Sequence, residues 1–311
     1  MTTNVAAESL ADPLAANKPA GLARDTLGNI LRQRNARIGL FILGLLVFAA
    51  VFADLLSAYD SDKVLFDQGI KRLSPPCIHL LGCPAASQEH LFGIDANGRD
   101  EFSRVLHGAR ISLQVGIVTV GLAIVIGSLL GMTAGYAGGR TESVIMRTMD
   151  VLLVFPALLL AIAIVSALGP GLINAQLAIG IVAIPIYARI MRASVLSTRE
   201  SDYVVASRAL GESAAGLVFR RILPNSLTPI IVAGTLGIAG AVLDVAALSF
   251  LGLGAQPPTA EWGSMVGQDR GFLFTAPHLV FFPGVALALT VFGFNLLGDG
   301  LRDALDPRLN R

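Results

Sequence analysis

Long stretches without charged residues alternate with short polar ones along the chain. Stretches free of Asp, Glu, Lys and Arg cover residues 38–53, 111–139, 151–188, 222–243 and 271–298. A helix that crosses roughly 30 Å of membrane hydrocarbon needs about 20 residues. The third stretch accommodates two such helices, because Gly169-Pro170-Gly171 divides it. The pattern therefore predicts an all-α membrane protein with six transmembrane helices.

Composition agrees with this prediction. Of 311 residues, 14% are charged and 54% are hydrophobic, whereas a soluble domain has about 25% charged residues. The formal net charge of +1 gives no overall charge argument for nucleic acid or an acidic ligand as a partner. We therefore expect the protein to be embedded in membrane lipid and to bind no nucleic acid.

The distribution of arginine predicts the orientation. Arginines precede the first span, separate the second from the third, fill the fourth connection and close the chain; examples are Arg24, Arg32, Arg140, Arg147, Arg308 and Arg311. The third-to-fourth connection has no basic residue, and the fifth-to-sixth has only Arg270. By the positive-inside rule, both termini are predicted to be cytoplasmic.

These boundaries divide the chain into five parts. We predict a cytoplasmic N-terminal segment at 1–37, a first transmembrane helix at 38–57, a periplasmic loop at 58–108, a five-helix core at 109–298 and a cytoplasmic tail at 299–311. The N-terminal segment is too long for the n-region of a cleaved signal peptide, so the first span is predicted to be an uncleaved anchor.

The sequence lacks the usual motifs of catalysis. None of the three lysines follows a glycine, so there is no G-x-x-x-x-G-K-[ST] phosphate loop. The four histidines have no metal-ligand spacing, and no G-x-S-x-G motif occurs. We therefore predict no catalytic residue, no metal and no cofactor bound by this chain.

Glycines recur at helical spacing in two spans, as Gly127, Gly131 and Gly135 and as Gly234, Gly237 and Gly240. Small residues let helices approach closely in lipid. Packing within the chain is the favoured interpretation, and contact with a second subunit is the alternative.

One polar segment, residues 202–225, separates two apolar spans. The pattern predicts a helix from Ser201 to Leu210, a break at Gly211 and a second helix that Pro224 ends. Apolar Leu217, Val218 and Ile222 share one face, while Arg220 and Arg221 point elsewhere. The alternatives to a helical hairpin that binds a protein are an interfacial helix on lipid and an ordinary ordered loop.

This segment resembles the cytoplasmic loop of ABC importer permeases, which reads E-A-A, three residues, Gly, about twelve residues and Leu-Pro. Ala206 and Ser207 occupy the two alanine positions, Gly211 the glycine and Leu223-Pro224 the end. Val205 replaces the usual Glu, which leaves open whether a Glu-based contact exists here.

The resemblance implies that loop 197–225 contains a coupling helix that seats in a groove of a cytoplasmic ATPase. The residues expected to dock there are Ala206, Ser207, Arg208, Gly211, Glu212, Arg220, Arg221 and Pro224.

Three further segments, 90–116, 248–263 and 298–308, resemble permeases of the dipeptide/oligopeptide/nickel group, most closely the C-type subunit of peptide importers. The resemblance runs from about residue 90 to the end of the chain. It implies a type I ABC importer transmembrane domain in the bacterial inner membrane, forming half of a pathway for short peptides by alternating access.

The implied partners are a homologous second permease, two ATPase subunits that bind ATP and Mg, and a periplasmic or lipid-anchored substrate-binding protein. Nickel or another small solute is the alternative cargo. An ion-gradient-driven secondary transporter is the alternative from another class; it would use helix breaks, for which Pro156 and Pro185 are candidates. A membrane scaffold without transport is the third hypothesis.

Asp244 is the only carboxylate deep in a predicted span. Such residues are costly in lipid and often functional, so Asp244 is a candidate for the translocation pathway. A structural role nearer the outer surface is the alternative.

Cys77 and Cys83 lie in the long loop that we place outside the cytoplasm, where a disulfide can persist. A structural bridge is favoured, with free thiols or a metal site that includes His79 as alternatives.

One group of loop residues and one tryptophan each allow two interpretations. Arg99, Asp100, Arg104 and Arg110 would either organise the loop through ion pairs or contact the binding protein. Trp262, the only tryptophan, is expected to anchor at the outer membrane interface, with contact to the binding protein as the alternative.

Overall fold

The computed structural model describes residues 28, 31, 33–65, 70–84 and 89–305. Arg24, Arg32, Arg308 and Arg311, most of the predicted N-terminal segment and half of the predicted tail lie outside the described residues.

The described part of the chain is helical and contains no β-strand, only two isolated bridges. The helices are α1 (Arg34–Val51), α2 (Ala53–Leu56), α3 (Glu101–Ala137), α4 (Gly139–Val154), α5 (Ala157–Leu168), α6 (Leu172–Arg199), α7 (Asp202–Ala209), α8 (Ala214–Phe250), α9 (Trp262–Asp269) and α10 (His278–Leu305). The predicted all-α class is confirmed.

Five helices, α1, α3, α6, α8 and α10, are long and apolar enough to cross a membrane. Helices α4 and α5 form a pair bent by 93° and supply a sixth span if they are counted as one. The bend lies at Phe155-Pro156, because proline cannot donate a backbone hydrogen bond in a helix interior. Pro185, the other candidate for a break, lies inside the unbroken α6.

Helix α3 is longer than its apolar sequence indicates. It begins at Glu101, because the Asp100 carboxylate accepts the Ser103 N–H at 2.8 Å and caps the helix. The first turns of α3 are polar yet buried, since Arg104 contacts the loops around it. An apolar stretch in the sequence marks only the part of a helix that lies in lipid. It therefore does not indicate polar helical turns that are buried in protein outside the membrane.

The bundle is held by close contact at small residues. Gly127, Gly131 and Gly135 of α3 face α6, where a Cβ on Gly127 would stand 2.8 Å from the Ile184 carbonyl oxygen. Gly234 faces Ile124, but no described atom lies near Gly240. Packing within the chain thus accounts for the α3 glycines, while Gly240 lies on an open surface of this chain.

Candidate functional site

The polar segment between α6 and α8 folds as a helical hairpin. Helix α7 ends at Ala209, and the chain turns at Leu210-Gly211, where Gly211 has φ +83°. The Gly211 N–H donates to the Arg208 carbonyl at 3.0 Å, and the Glu212 N–H donates to Ser207 at 3.1 Å. No described atom lies within 4 Å of the place where a Gly211 Cβ would stand. Glycine is therefore needed here for its left-handed backbone conformation, not for lack of space within the chain.

Most of the predicted docking residues lie on the surface of this hairpin. Ala206, Arg208, Gly211, Arg220, Arg221 and Pro224 are exposed, and Ser207 and Glu212 are half-buried. The Arg221 guanidinium donates to the Glu212 carboxylate at 3.1 Å across the hairpin. The structure thus brings these eight residues together on one short segment.

Sequence reasoning missed the apolar part of the same surface. Leu210 is 88% exposed, and Tyr203 and Val205 are also exposed. Exposed apolar side chains on a rigid polar hairpin are typical of a protein interface. The sequence did contain a signal for this surface, since these apolar residues occur within an otherwise charged segment.

The base of the hairpin is anchored in the apolar core. Val204 and Ile222 are fully buried, and Leu217 and Val218 pack into the same cluster. Arg220 stays exposed, as the predicted amphipathic pattern requires. The turn of the hairpin is therefore exposed on this chain, while its base packs against the spans.

The prediction that Pro224 ends a helix is wrong. Helix α8 runs through it, from Ala214 to Phe250. The turn before Pro224, Leu217–Ile222, is π-helical, and the Leu223 N–H donates to Val218, five residues earlier. This wider turn accommodates the proline ring and its missing N–H without a break.

Ion pairs tie the neighbouring helices together at this end of the bundle. Arg189 donates to Asp150 at 2.6 Å, and Arg192 pairs with Glu142. These four residues, with Arg147, line a cavity of about 650 Å³ between α4 and α6. Both pairs connect the bent third span to the fourth.

Ion pairs organise the opposite end of the bundle as well. Asp95 binds the Arg99 guanidinium at 2.7 Å and lies 3.7 Å from that of Arg104, and all three side chains are buried. Arg110 pairs with Asp54 at 2.9 Å. Two carboxylates and three arginines in such contacts support the interpretation that these residues organise the loop.

The expectation that Trp262 lies at the membrane interface is wrong. Its side chain is 1% exposed, and its indole N–H donates to the Val105 carbonyl at 3.0 Å. A Cβ on Gly108 would stand 2.8 Å from the indole nitrogen. Trp262 begins the short helix α9, which folds back against α3, so the ring is covered by protein and contact with the binding protein is equally excluded.

Helix α9 carries two buried carboxylates. Glu261 caps it by accepting the N–H groups of Gly263 and Ser264 at 2.9 and 2.8 Å. At the other end, burial raises the pKa of Asp269 to about 6; the Asp95 carboxylate adds to the rise, and Arg104 and Arg99 oppose it.

Asp244 lies six residues before the end of α8, on an exposed stripe with Gly240 and Leu243. In the part of the chain that the structure describes, no cation pairs with its carboxylate. Cys77 and Cys83 are joined in a disulfide with Cα atoms 5.4 Å apart. No group of three or more metal-ligating side chains occurs among the described residues.

Comparison with known proteins decides the family. Residues 127–311 match the binding-protein-dependent transport system inner membrane component, and residues 21–76 match the N-terminal transmembrane domain of oligopeptide transport permease C. The chain belongs to this permease family.

Several curated relatives match the permease over nearly its whole length. The dipeptide transport system permease protein DppC of Alkalihalophilus pseudofirmus is 46% identical over 92% of this chain and 90% of the relative. The di/tripeptide permease DppC of Pseudomonas aeruginosa is 46% identical over 89% of both chains. The glutathione permease GsiD of Pectobacterium atrosepticum is 43% identical over 92% and 91%.

Among solved structures, an inward-facing form of the MetNI methionine ABC transporter matches with a TM-score of 0.55 and 19% identity, over 65% of this chain and 97% of that one. This likeness confirms the predicted fold of a type I ABC importer transmembrane domain. The permease is a multi-pass protein of the bacterial inner membrane, as predicted.

Proposed function

We propose that this permease forms half of the translocation pathway of an ATP-driven peptide importer and is moved through the α7 hairpin. The observation that carries the proposal is the hairpin's construction: Leu210 is exposed at its turn and Tyr203 on its first helix, while Ile222 is buried at its base. Relatives named as dipeptide and glutathione permeases support short peptides as the cargo.

The proposed assembly contains a second, homologous permease, two cytoplasmic ATPases that bind ATP and Mg, and a periplasmic or lipid-anchored substrate-binding protein. The family description, a binding-protein-dependent transport component, supports this set. The hairpin and both termini lie on the cytoplasmic side, in accordance with the arginine-rich connections.

Movement reaches the spans by two routes. Helix α8 is continuous from the hairpin to Phe250, so displacement of its base moves the whole span. Arg199, which ends α6 just before the hairpin, also holds α3. Closure of the ATPases upon ATP binding thus shifts α3, α6 and α8 between two arrangements, which opens the pathway to alternate sides.

Asp244 belongs to the pathway in this proposal. Ionisable residues in membrane helices almost always face protein or a water-filled cavity, so the exposed stripe that carries Asp244 is expected to face water or the second permease. On this face the carboxylate can accept hydrogen bonds from the amino group of an incoming peptide.

The test is reconstitution of the four kinds of subunit in proteoliposomes and measurement of labelled dipeptide uptake. We expect uptake that needs ATP and both ATPases. A matched sample receives an ion gradient but no ATPase. Uptake in that second sample would contradict the proposal and support a secondary transporter.

A further inference from the structure

A small ring projects from the long loop before α3. The Cys77–Cys83 disulfide closes it, and its tip is a single turn of 3-10 helix, His79–Leu81. The Leu80 side chain at this tip is 94% exposed. A single exposed leucine is unremarkable on a mobile loop, so the question is whether this one is held in place.

The ring is held from several directions. Cys77 and His90 exchange two backbone hydrogen bonds of 2.9 Å, and the His79 N–H donates to the Glu89 carboxylate at 2.8 Å. Leu73, four residues before the ring, has φ +58°, a conformation that leucine rarely adopts. Such strain persists only where the surroundings over-determine the backbone, and it is concentrated at functional sites.

The ring is also connected to a transmembrane helix. The His90 ring nitrogen Nδ1 lies 2.9 Å from Asp100, the residue that caps α3. The other end of α3 is held by Arg199, next to the α7 hairpin. The ring and the hairpin therefore hold opposite ends of one 37-residue helix, which is about 55 Å long.

We propose that Leu80, presented by the Cys77–Cys83 ring, is a docking point for the extracytoplasmic substrate-binding protein, and that His90 and Asp100 pass docking on to α3. This inference rests on the proposed function. The partner offers an apolar socket for one leucine side chain, and rigidity of the ring lowers the entropy lost on docking.

Two observations favour this occupant. A disulfide persists on the oxidising side of the membrane, which is where a binding protein meets its permease. The ring is flanked by exposed charged residues, Lys71 and Glu89, which hold this part of the loop in water and away from lipid.

The test compares variants of the reconstituted assembly, using the binding protein that supports uptake by the unsubstituted assembly. We expect Leu80→Ser to raise the Kd of that protein roughly tenfold to a hundredfold, the loss expected for one buried leucine. Leu80→Met should retain binding.

A matched control is Phe274→Ser, which removes an apolar side chain that is 96% exposed in the loop between α9 and α10. We expect it to leave the Kd unchanged. Equal weakening by both variants, or an unchanged Kd for Leu80→Ser, would overturn the ring's role. So would loss of the second permease from the Leu80→Ser assembly, which would assign the ring to a subunit contact. Failure of the unsubstituted assembly to transport with ATP would instead contradict the proposed function.

Discussion

The Arg199 guanidinium donates a hydrogen bond of 2.8 Å to the backbone carbonyl of Gly135. Arg199 is the last residue of α6, and Gly135 lies in the last turn of α3. An arginine at a helix C-terminus stabilises the unpaired carbonyl groups there. The contact joins two spans directly beside the α7 hairpin, and we expect motion of the hairpin to reach α3 through it.

Replacing Arg199 with Gln should uncouple transport from ATP hydrolysis. A hydrogen bond to a charged donor contributes about 1.5–3 kcal/mol, and its loss lets α6 move without α3. We expect fewer peptides transported per ATP hydrolysed, measured in proteoliposomes. Glu200→Gln is the matched control, because it removes the other partner of Arg199 and leaves the Gly135 contact. If Arg199→Gln transports as many peptides per ATP as the wild type, the contact between Arg199 and Gly135 has no role in coupling.

Replacing Gly211 with Val should weaken assembly with the ATPases. The left-handed backbone at this position costs a non-glycine residue about 1–2 kcal/mol, so the turn would relax and displace Leu210. The measurement is the amount of ATPase that co-purifies with the permease. Gly121→Val is the control, since Gly121 also has open space around it but lies in a regular helix. Wild-type co-purification and uptake for Gly211→Val would count heavily against the docking role of the hairpin.

Asp244→Asn should impair uptake of peptides that have a free amino terminus. Loss of a charged acceptor costs about 1.5–3 kcal/mol, which corresponds to a KM raised roughly tenfold or more. Asp244→Glu keeps the charge and should retain most activity. Uptake kinetics with N-acetylated and free dipeptides provide the comparison. If Asp244→Asn has wild-type kinetics for both, the carboxylate has no part in the pathway.

Cys77→Ser should loosen the ring without unfolding the bundle. A disulfide that closes so short a loop contributes about 2 kcal/mol in the loop-entropy model. We expect faster hydrogen exchange at the His90 amide, which donates to Cys77, and little change in the melting temperature. Labelling with a membrane-impermeant thiol reagent tests the bridge itself. Reaction of both cysteines in the unreduced wild-type protein would contradict it.

The contribution of Asp269 to stability should fall as the pH rises from about 4 to about 6. The folded protein holds a proton on Asp269 up to a pH of about 6, whereas the pKa in the unfolded chain is near 3.8. Across this window the folded state therefore binds more protons, and the penalty reaches at most about 3 kcal/mol above it. Asp269→Asn should abolish this part of the pH dependence and raise the melting temperature at pH 7.5. Exposed Asp60→Asn serves as the control, and equal slopes for wild type and Asp269→Asn would refute the assignment.

The spans and the hairpin could be predicted because lipid and water impose a simple pattern on a sequence. Uncharged stretches gave the membrane helices, and Leu217, Val218 and Ile222 correctly indicated the buried face at the base of the hairpin. Gly211 likewise indicated the turn. In each case a local property of the residues determined the outcome.

The remaining features depend on contacts between distant parts of the chain. Trp262 is buried because α9 folds back on Gly108 and Val105 of α3, and no local pattern specifies that return. Pro224 lies inside a helix because the preceding turn widens. The early start of α3 depends on the Asp100 cap and on the burial of Arg104 beside Asp95.

The length of helix α8 determines how far a small movement at the hairpin displaces the other end of the span. Its 37 residues extend unbroken from the hairpin to Phe250, which makes it a lever about 55 Å long. A tilt of about 10° at the hairpin would sweep the far end, close to Asp244, through roughly 10 Å. In the proposed assembly, a small movement of the hairpin by an ATPase would therefore cause a larger displacement at the other end of the span.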